Sequence, residues 1–245
     1  NLLQNVNKLI YEAYDANTGI NVRRIIKSIS DSTFGEFTDS LPKGRYVISV
    51  VGIKDVKLGI QRYDTNGLYL LYPGTDIFYK KNIISVDNSV DENIALERVV
   101  SRLVYRFKDR LPYNVKSIAV HPATFDVPNG IGCHLNTYTG ETTKGVPYEY
   151  TLYTYEIPDS LRGSENLTLT TYVLNPTGPM TIDASIAVYD TANVRLLYTR
   201  VNSIILERNK TTTLSGYLFD SIAAGQGVKI TVDPKWDRDT LNTEF

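Results

Sequence analysis

Two histidines, His121 and His134, and one cysteine, Cys133, are the chain's whole supply of side chains able to exchange a proton or act as a soft nucleophile near neutral pH. Cys133 and His134 are neighbours, and on an extended backbone neighbouring side chains point to opposite faces, so a nucleophile–base pair would need a distorted chain. A small buried thiol beside a surface imidazole is the plainer reading. No Gly-x-x-x-x-Gly-Lys-Ser/Thr run is present to cradle phosphate, no His-Glu-x-x-His to hold zinc, and no Gly-x-Ser-x-Gly to present a serine. The carboxylates scatter through turns without the pairing that glycoside hydrolysis uses. This inventory points away from an enzyme and calls for no metal or cofactor.

Three other patterns carry possible chemistry. Asp15-Ala16-Asn17-Thr18-Gly19 imitates the opening of a calcium loop, but no bidentate glutamate follows at the right distance, and Asp and Asn before Gly build turns by bonding their own backbone. Tyr148, Tyr150, Tyr153 and Tyr155 crowd one stretch, and aromatic faces stack on sugar rings; they form a candidate glycan platform, although Tyr153 and Tyr155 share one strand face and Tyr148 and Tyr150 the other. Arg23-Arg24 is a dibasic pair in a segment read as a loop, open to a trypsin-like protease. Cutting there would detach the first strand and leave a groove of unpaired backbone groups for a partner's strand to fill. A solvated charge pair is the alternative. The sequons at Asn166 and Asn209 matter only in a host that glycosylates them.

The 245 residues carry 26 Lys and Arg against 27 Asp and Glu, a net charge of −1 that draws the chain to neither nucleic acid nor an anionic membrane surface. With 42% hydrophobic and 22% charged residues the composition is that of an ordinary globular chain. One cysteine permits no internal disulfide. No apolar run approaches the roughly 20 residues that span a bilayer as a helix. The first five residues are too polar for a signal peptide, so any export signal is expected upstream of Asn1.

Eighteen tyrosines against one Met and one Trp suit pleated, half-buried surfaces. Leu167, Leu169, Thr171 and Val173 alternate with Thr168, Thr170 and Tyr172, and Ile182, Ala184, Ile186 and Val188 with Asp183, Ser185 and Ala187. Asn175-Pro176-Thr177-Gly178-Pro179 supplies the turn between them. Comparable strand patterns recur at 8–14, 45–52, 69–72, 77–86, 115–121, 148–157, 194–206, 212–219 and 228–232. Residues 91–111 read two ways: Leu96, Val99, Val100, Leu103, Val104, Phe107 and Leu111 fall at helical spacing, while Val99, Leu103, Tyr105 and Phe107 also alternate with Arg98, Arg102 and Arg106 as a strand. Many strands with short loops imply antiparallel sandwiches, and their number implies two, divided near Arg110-Leu111-Pro112 into 1–112 and 113–245.

Four segments resemble the fimbrillin-like proteins of Bacteroides-type fimbriae, most of all their anchor and minor-subunit branch. These are Leu41-Pro42-Lys43-Gly44-Arg45-Tyr46-Val47-Ile48-Ser49-Val50, a strand entry; Leu96-Glu97-Arg98-Val99-Val100-Ser101-Arg102-Leu103-Val104, an arginine-bearing strand; residues 206–219 around Asn209-Lys210-Thr211; and the closing stretch 228–236. The resemblance implies an all-β protein of two consecutive transthyretin-like antiparallel β-sandwich (Greek-key) domains, which resolves 91–111 toward strand and leaves room for a helical turn near 91–96. It implies a non-catalytic surface lipoprotein of a fimbrium, tied to the outer membrane by a lipid-bearing cysteine upstream of Asn1, whose partners are other fimbrial subunits joined by strand addition. In such proteins polymerising subunits lose an N-terminal strand to an arginine-specific protease and accept a donor strand. The stretch after residue 232 is short for a donor tail, which implies an anchor-like or terminal subunit. Polysaccharide is the alternative partner, at the tyrosine platform.

Overall fold

A computed structural model describes residues 2–54, 60–64, 67–70, 75–122, 134–143, 153–220 and 230–232. Among the described residues the regular structure is strand apart from one helical turn at Leu2–Asn5 and a 3-10 turn at Asp159–Leu161. In chain order the strands are β1 (Lys8–Asp15), β2 (Asn21–Ser28), β3 (Gly44–Ile53), β4 (Ile60–Asp64), β5 (Gly67–Leu70), β6 (Ile77–Val86), β7 (Glu97–Arg98), β8 (Val100–Phe107) and β9 (Val115–His121). They continue with β10 (His134–Leu135), β11 (Thr142–Thr143), β12 (Tyr153–Glu156), β13 (Leu167–Leu174), β14 (Met180–Asp190), β15 (Arg195–Leu206), β16 (Thr211–Gly216) and β17 (Ile230–Val232). Residues 91–111 are extended: the β-branched and aromatic run of β8 prevails over the helical spacing, and residues 91–96 form no helical turn.

Four sheets result. Their orders are β2-β1-β3-β6-β7, β11-β10-β5-β4, β12-β9-β14-β15 and β13-β8-β16-β17. Among the described residues β8 and β16 run parallel and the other pairs antiparallel. The third and fourth sheets close on one core: Leu103, Tyr105 and Phe107 of β8 meet Ile118 and Val120 of β9 and Ile182, Ala184, Ile186 and Val188 of β14. In the first sheet one face packs Ile10, Val51, Ile53 and Ile77 against Leu135 of β10. The opposite face buries Leu9, Tyr11, Ile48 and Val50 under residues of the loops that precede β3 and β7. Strand pairing crosses residue 112 in both directions, because β8 joins β13 and β16 while β10 joins β5.

The two sheet pairs meet at Val99. Its N–H donates to Ile77 O in the first sheet (2.9 Å), and its carbonyl accepts Asn175 N beside the fourth (2.7 Å). Val99, Val100 and Leu174 pack into the same cluster as Ile10 and Val51. Buried Asn175 is more than a turn residue: its amide donates to Ser101 Oγ (2.9 Å), whose hydroxyl donates to Glu207 O (2.6 Å). Arg208 completes the joint, donating from Nε to Arg98 O (3.0 Å) and pairing with Glu97, which also binds Lys80 of β6 at 2.5 Å.

Lys80 and then Arg208 hold the Glu97 carboxyl below its ordinary value of 4.5. A carboxyl whose folded pKa is lowered stabilises the fold above its unfolded value and loses that contribution as pH falls through the folded one. Glu97 is 48% exposed, so the contribution is under about 1 kcal/mol. Glu97→Gln is expected to lower the urea midpoint slightly at neutral pH, with the difference shrinking progressively as pH falls below the ordinary carboxyl value; a difference that does not change with pH would exclude the ion pairs as its cause.

Candidate functional site

Asp15 closes the hairpin that begins the chain. Its Oδ1 accepts Asn17 N (2.9 Å), Thr18 N (2.8 Å) and Thr18 Oγ1 (3.0 Å), and these bonds, from Thr18 first, hold its carboxyl below the usual range. The carboxylate is thus the keystone of a turn, and Gly19 takes the positive φ of 69° that the turn requires. The chain then returns as β2, so Arg23 and Arg24 lie in a strand paired residue by residue with β1, where the sequence led us to expect a loop.

β2 is the edge of the first sheet, with β1 between it and β3. β1 is buried along its length, whereas Val22 and Ile26 of β2 are exposed, as are the flanking Ile20 and Ile29. An eight-residue strand with apolar side chains on an open edge is a template for another strand. The dibasic pair splits across the two faces. Arg23 pairs with Asp39 at 3.3 Å and is 55% exposed. Arg24 turns inward: Nε (2.6 Å) and Nη2 (2.5 Å) grip Oε1 of Glu12, which is 2% exposed. Glu12 Oε2 accepts the Tyr14 hydroxyl (2.8 Å) and the Thr137 hydroxyl, and Tyr79 donates to Thr137 O (2.8 Å). Burial pushes the Tyr14 hydroxyl up to about 12. The turn between β10 and β11 is thereby pinned onto β1, and Gly140, with φ 79°, sits so close to the Tyr79 ring that a Cβ there would meet it at 3.1 Å.

On the outer face of the same sheet a groove of about 960 Å³ opens over Leu9, Tyr11, Ile48 and Val50, between the stretches 35–41 and 88–96. Phe37 stacks on Tyr11 at 5.2 Å and 26°. The rim carries Glu36, Asp39, Asp91 and Glu92 with Asn88, Asn93 and Ser40. Burial first, then Asp39, pushes the Tyr11 hydroxyl up to about 12. Lys27 of β2 anchors one wall, donating to the Thr33 and Glu36 carbonyls at 3.0 and 2.5 Å, and Tyr46 anchors the loop before β3 through Pro42 O at 2.9 Å.

Tyr153 and Tyr155 project from β12 into the space between sheets. Tyr153 is 9% exposed and donates to Tyr172 O at 3.0 Å; Tyr155 is half-buried and donates to Thr170 O. Their rings are committed to the core of the second sheet pair. Tyr148, Tyr150 and Cys133 lie outside the described residues. His121 is buried in β9, and His134 supplies backbone to β10 opposite Tyr69 and Thr143. Among the described residues no three His, Cys, Asp or Glu side chains gather around a metal position. No helix of the described chain is long and apolar enough to cross a membrane.

This architecture is all-β, with its sheets packed in sandwich-like pairs. Residues 73–244 match a family of unknown function, DUF6562, and the chain belongs to it. Among solved structures the chain is similar to the fimbrial anchor protein Mfa2 from Porphyromonas gingivalis, with a TM-score of 0.51 and 13% identity over 94% of this chain and 90% of that one. It is similar also to an adhesin candidate from Bacteroides ovatus, with a TM-score of 0.51 and 14% identity over 81% of this chain and 77% of that one. At such identities the likeness is one of fold. No curated protein matches the chain.

The two arginines differ in what their loss would cost. Arg24→Ala strands a buried carboxylate and should destabilise by about 3 kcal/mol, while Arg23→Ala, at a largely exposed pair, should cost about 1 kcal/mol or less. Denaturant melts of both variants decide the matter; equal effects would mean that Glu12 is satisfied without Arg24.

Proposed function

We propose that the chain is a non-catalytic structural protein of a bacterial cell-surface fimbrium, an anchor, terminal or minor subunit, that joins other fimbrial subunits by β-strand addition. The observation that carries this reading is the edge of β2, which pairs with no further strand among the described residues, with Val22 and Ile26 exposed along it and β1 paired behind it. Main-chain hydrogen bonds to an added strand supply affinity there, and the alternating side chains supply register. The likeness of fold to a fimbrial anchor and to an adhesin candidate supports the same assignment. Arg23 and Arg24 are the proposed processing site: cleavage there severs β2 and frees β1 from between β2 and β3, opening a slot one strand wide. The membrane link in this reading is a lipid upstream of Asn1.

A photo-crosslinking residue placed at Ile26 in cells that make the fimbrium should yield an adduct with another fimbrial subunit, identified by mass spectrometry. The same residue at Tyr217, exposed in the second sheet pair, serves as the control. Equal yields at both positions, or none at Ile26, would end the strand-addition reading.

The groove favours a second reading, in which the protein is a surface lipoprotein that binds polysaccharide. Half-buried Phe37, backed by the buried Tyr11 ring, offers aromatic surface to it, and the lining carboxylates and amides offer acceptors for hydroxyl groups. The groove would then be a platform in addition to the candidate stretch 148–155, part of which lies outside the described residues. Calorimetric titration with neutral glycans should show saturable heat that Phe37→Ala removes; a flat titration of the parent protein rejects this alternative.

A further inference from the structure

Where the two sheet pairs meet, a recess of about 90 Å³ is lined by Asp76, Arg98, Arg102, Tyr172, Asn209 and Lys210, among others. Three cationic side chains face a single carboxylate. Asp76 is already engaged by Arg98, through Nε–Oδ1 (2.9 Å) and Nη2–Oδ2 (3.3 Å), and Arg98 spends Nη1 on Asn209 Oδ1 (2.6 Å). Lys210 reaches Glu207 outside the recess. Arg102 is different: its Nε is buried and has no hydrogen-bond partner. Its place is fixed by the sheet, because Tyr172 of β13 and Thr211 of β16 are its direct cross-strand neighbours, forming the row Tyr172–Arg102–Thr211. Leu103, next along β8, faces the core, so this row lies on the outer face of the fourth sheet, opposite Arg98 and Asp76.

A guanidinium N–H withdrawn from solvent without an acceptor is costly, and the acceptor that best answers it carries negative charge. The recess has room for more than one water and for one compact group. We propose that it binds a small oxyanion, a carboxylate or an inorganic sulfate or phosphate, between Arg102 and Lys210, with the Tyr172 and Thr211 side chains alongside. The site draws on residues before β6 and in β7, β8, β13 and β16, so an anion there bridges the two sheet pairs. It is independent of the β2 edge and of the outer groove, and its failure would leave both readings of function untouched.

The test is titration of the full chain with sodium sulfate, phosphate, acetate and D-glucuronate at constant ionic strength set with sodium chloride, followed by the ¹⁵N resonance of Arg102 Nε and by calorimetry. Saturable binding of at least one anion is expected, with the Arg102 Nε resonance moving and with affinity falling about tenfold or more in Arg102→Gln. Preference for glucuronate over acetate would assign the site to an acidic sugar, and preference for sulfate or phosphate to an inorganic ion; both outcomes uphold an oxyanion site. Lys210→Gln provides a second measure if Arg102→Gln does not fold, with weakened binding again expected. Absence of saturation with all four anions, or binding undiminished in the variants, would overturn the proposal. Arg195→Gln, on the exposed end of β15, should leave affinity unchanged.

Discussion

An extended chain has no hydrogen-bonding of its own, and every backbone N–H and C=O in it must find a partner sideways. That constraint governs this molecule from end to end. Val99 shows it at its most compressed, with its donor committed to β6 and its acceptor to the turn after β13, so that a single residue belongs to both sheet pairs. The joint is consequently a continuation of the sheets and not a linker. Its surrounding polar groups, Ser101, Asn175 and Arg208, satisfy backbone groups where the ladders change partner.

The same constraint explains the buried ion pair. A carboxylate as deeply buried as Glu12 gains little net stability from its partner, since removing both charges from water costs about as much as their attraction returns. Its worth lies in discrimination. Glu12 takes an arginine from β2 and hydroxyls from Tyr14 and Thr137, three segments separated by up to 125 residues, and a register slip of one residue in β1 would turn it to the opposite face. Glu12 thus fixes both the alignment of the edge strand and the position of the β10–β11 turn.

Strands with clean alternation were legible in the sequence: β6 and β9 fall on the segments read there, and β13 and β14 differ by a residue or two at their ends. β2 escaped because Val22-Arg23-Arg24-Ile25-Ile26-Lys27 pairs like residues instead of alternating them, and only part of each face is covered. Residues 91–111 carried both periods at once, and pairing with β13 and β16 decided between them, a long-range fact that no local window contains. The crossing of strands past residue 112 is of the same kind. The arginines of β7 and β8 were visible as an alternating face, but not their convergence with Lys210, since parallel pairing of β8 with β16 brings together residues more than a hundred positions apart. Tyr153 shows why a run of tyrosines is ambiguous in sequence: a ring whose hydroxyl reaches a carbonyl in the facing sheet has the same signature as one displayed to a ligand.

A surface that works through its backbone places few demands on side-chain identity. Strand addition asks of an edge that it be long, extended and open, and of its side chains only that they alternate in size and polarity. Sheets that pack on a two-residue period ask no more. Under those terms 13% identity is enough to keep an architecture over nine-tenths of two chains, and the individually constrained residues are those where the period breaks: Asp15 and Gly19 at the hairpin, Glu12 beneath it, Asn175 and Arg208 at the joint. At β2 the Arg24 side chain holds one face to Glu12, and among the described residues the outer backbone edge meets no further strand.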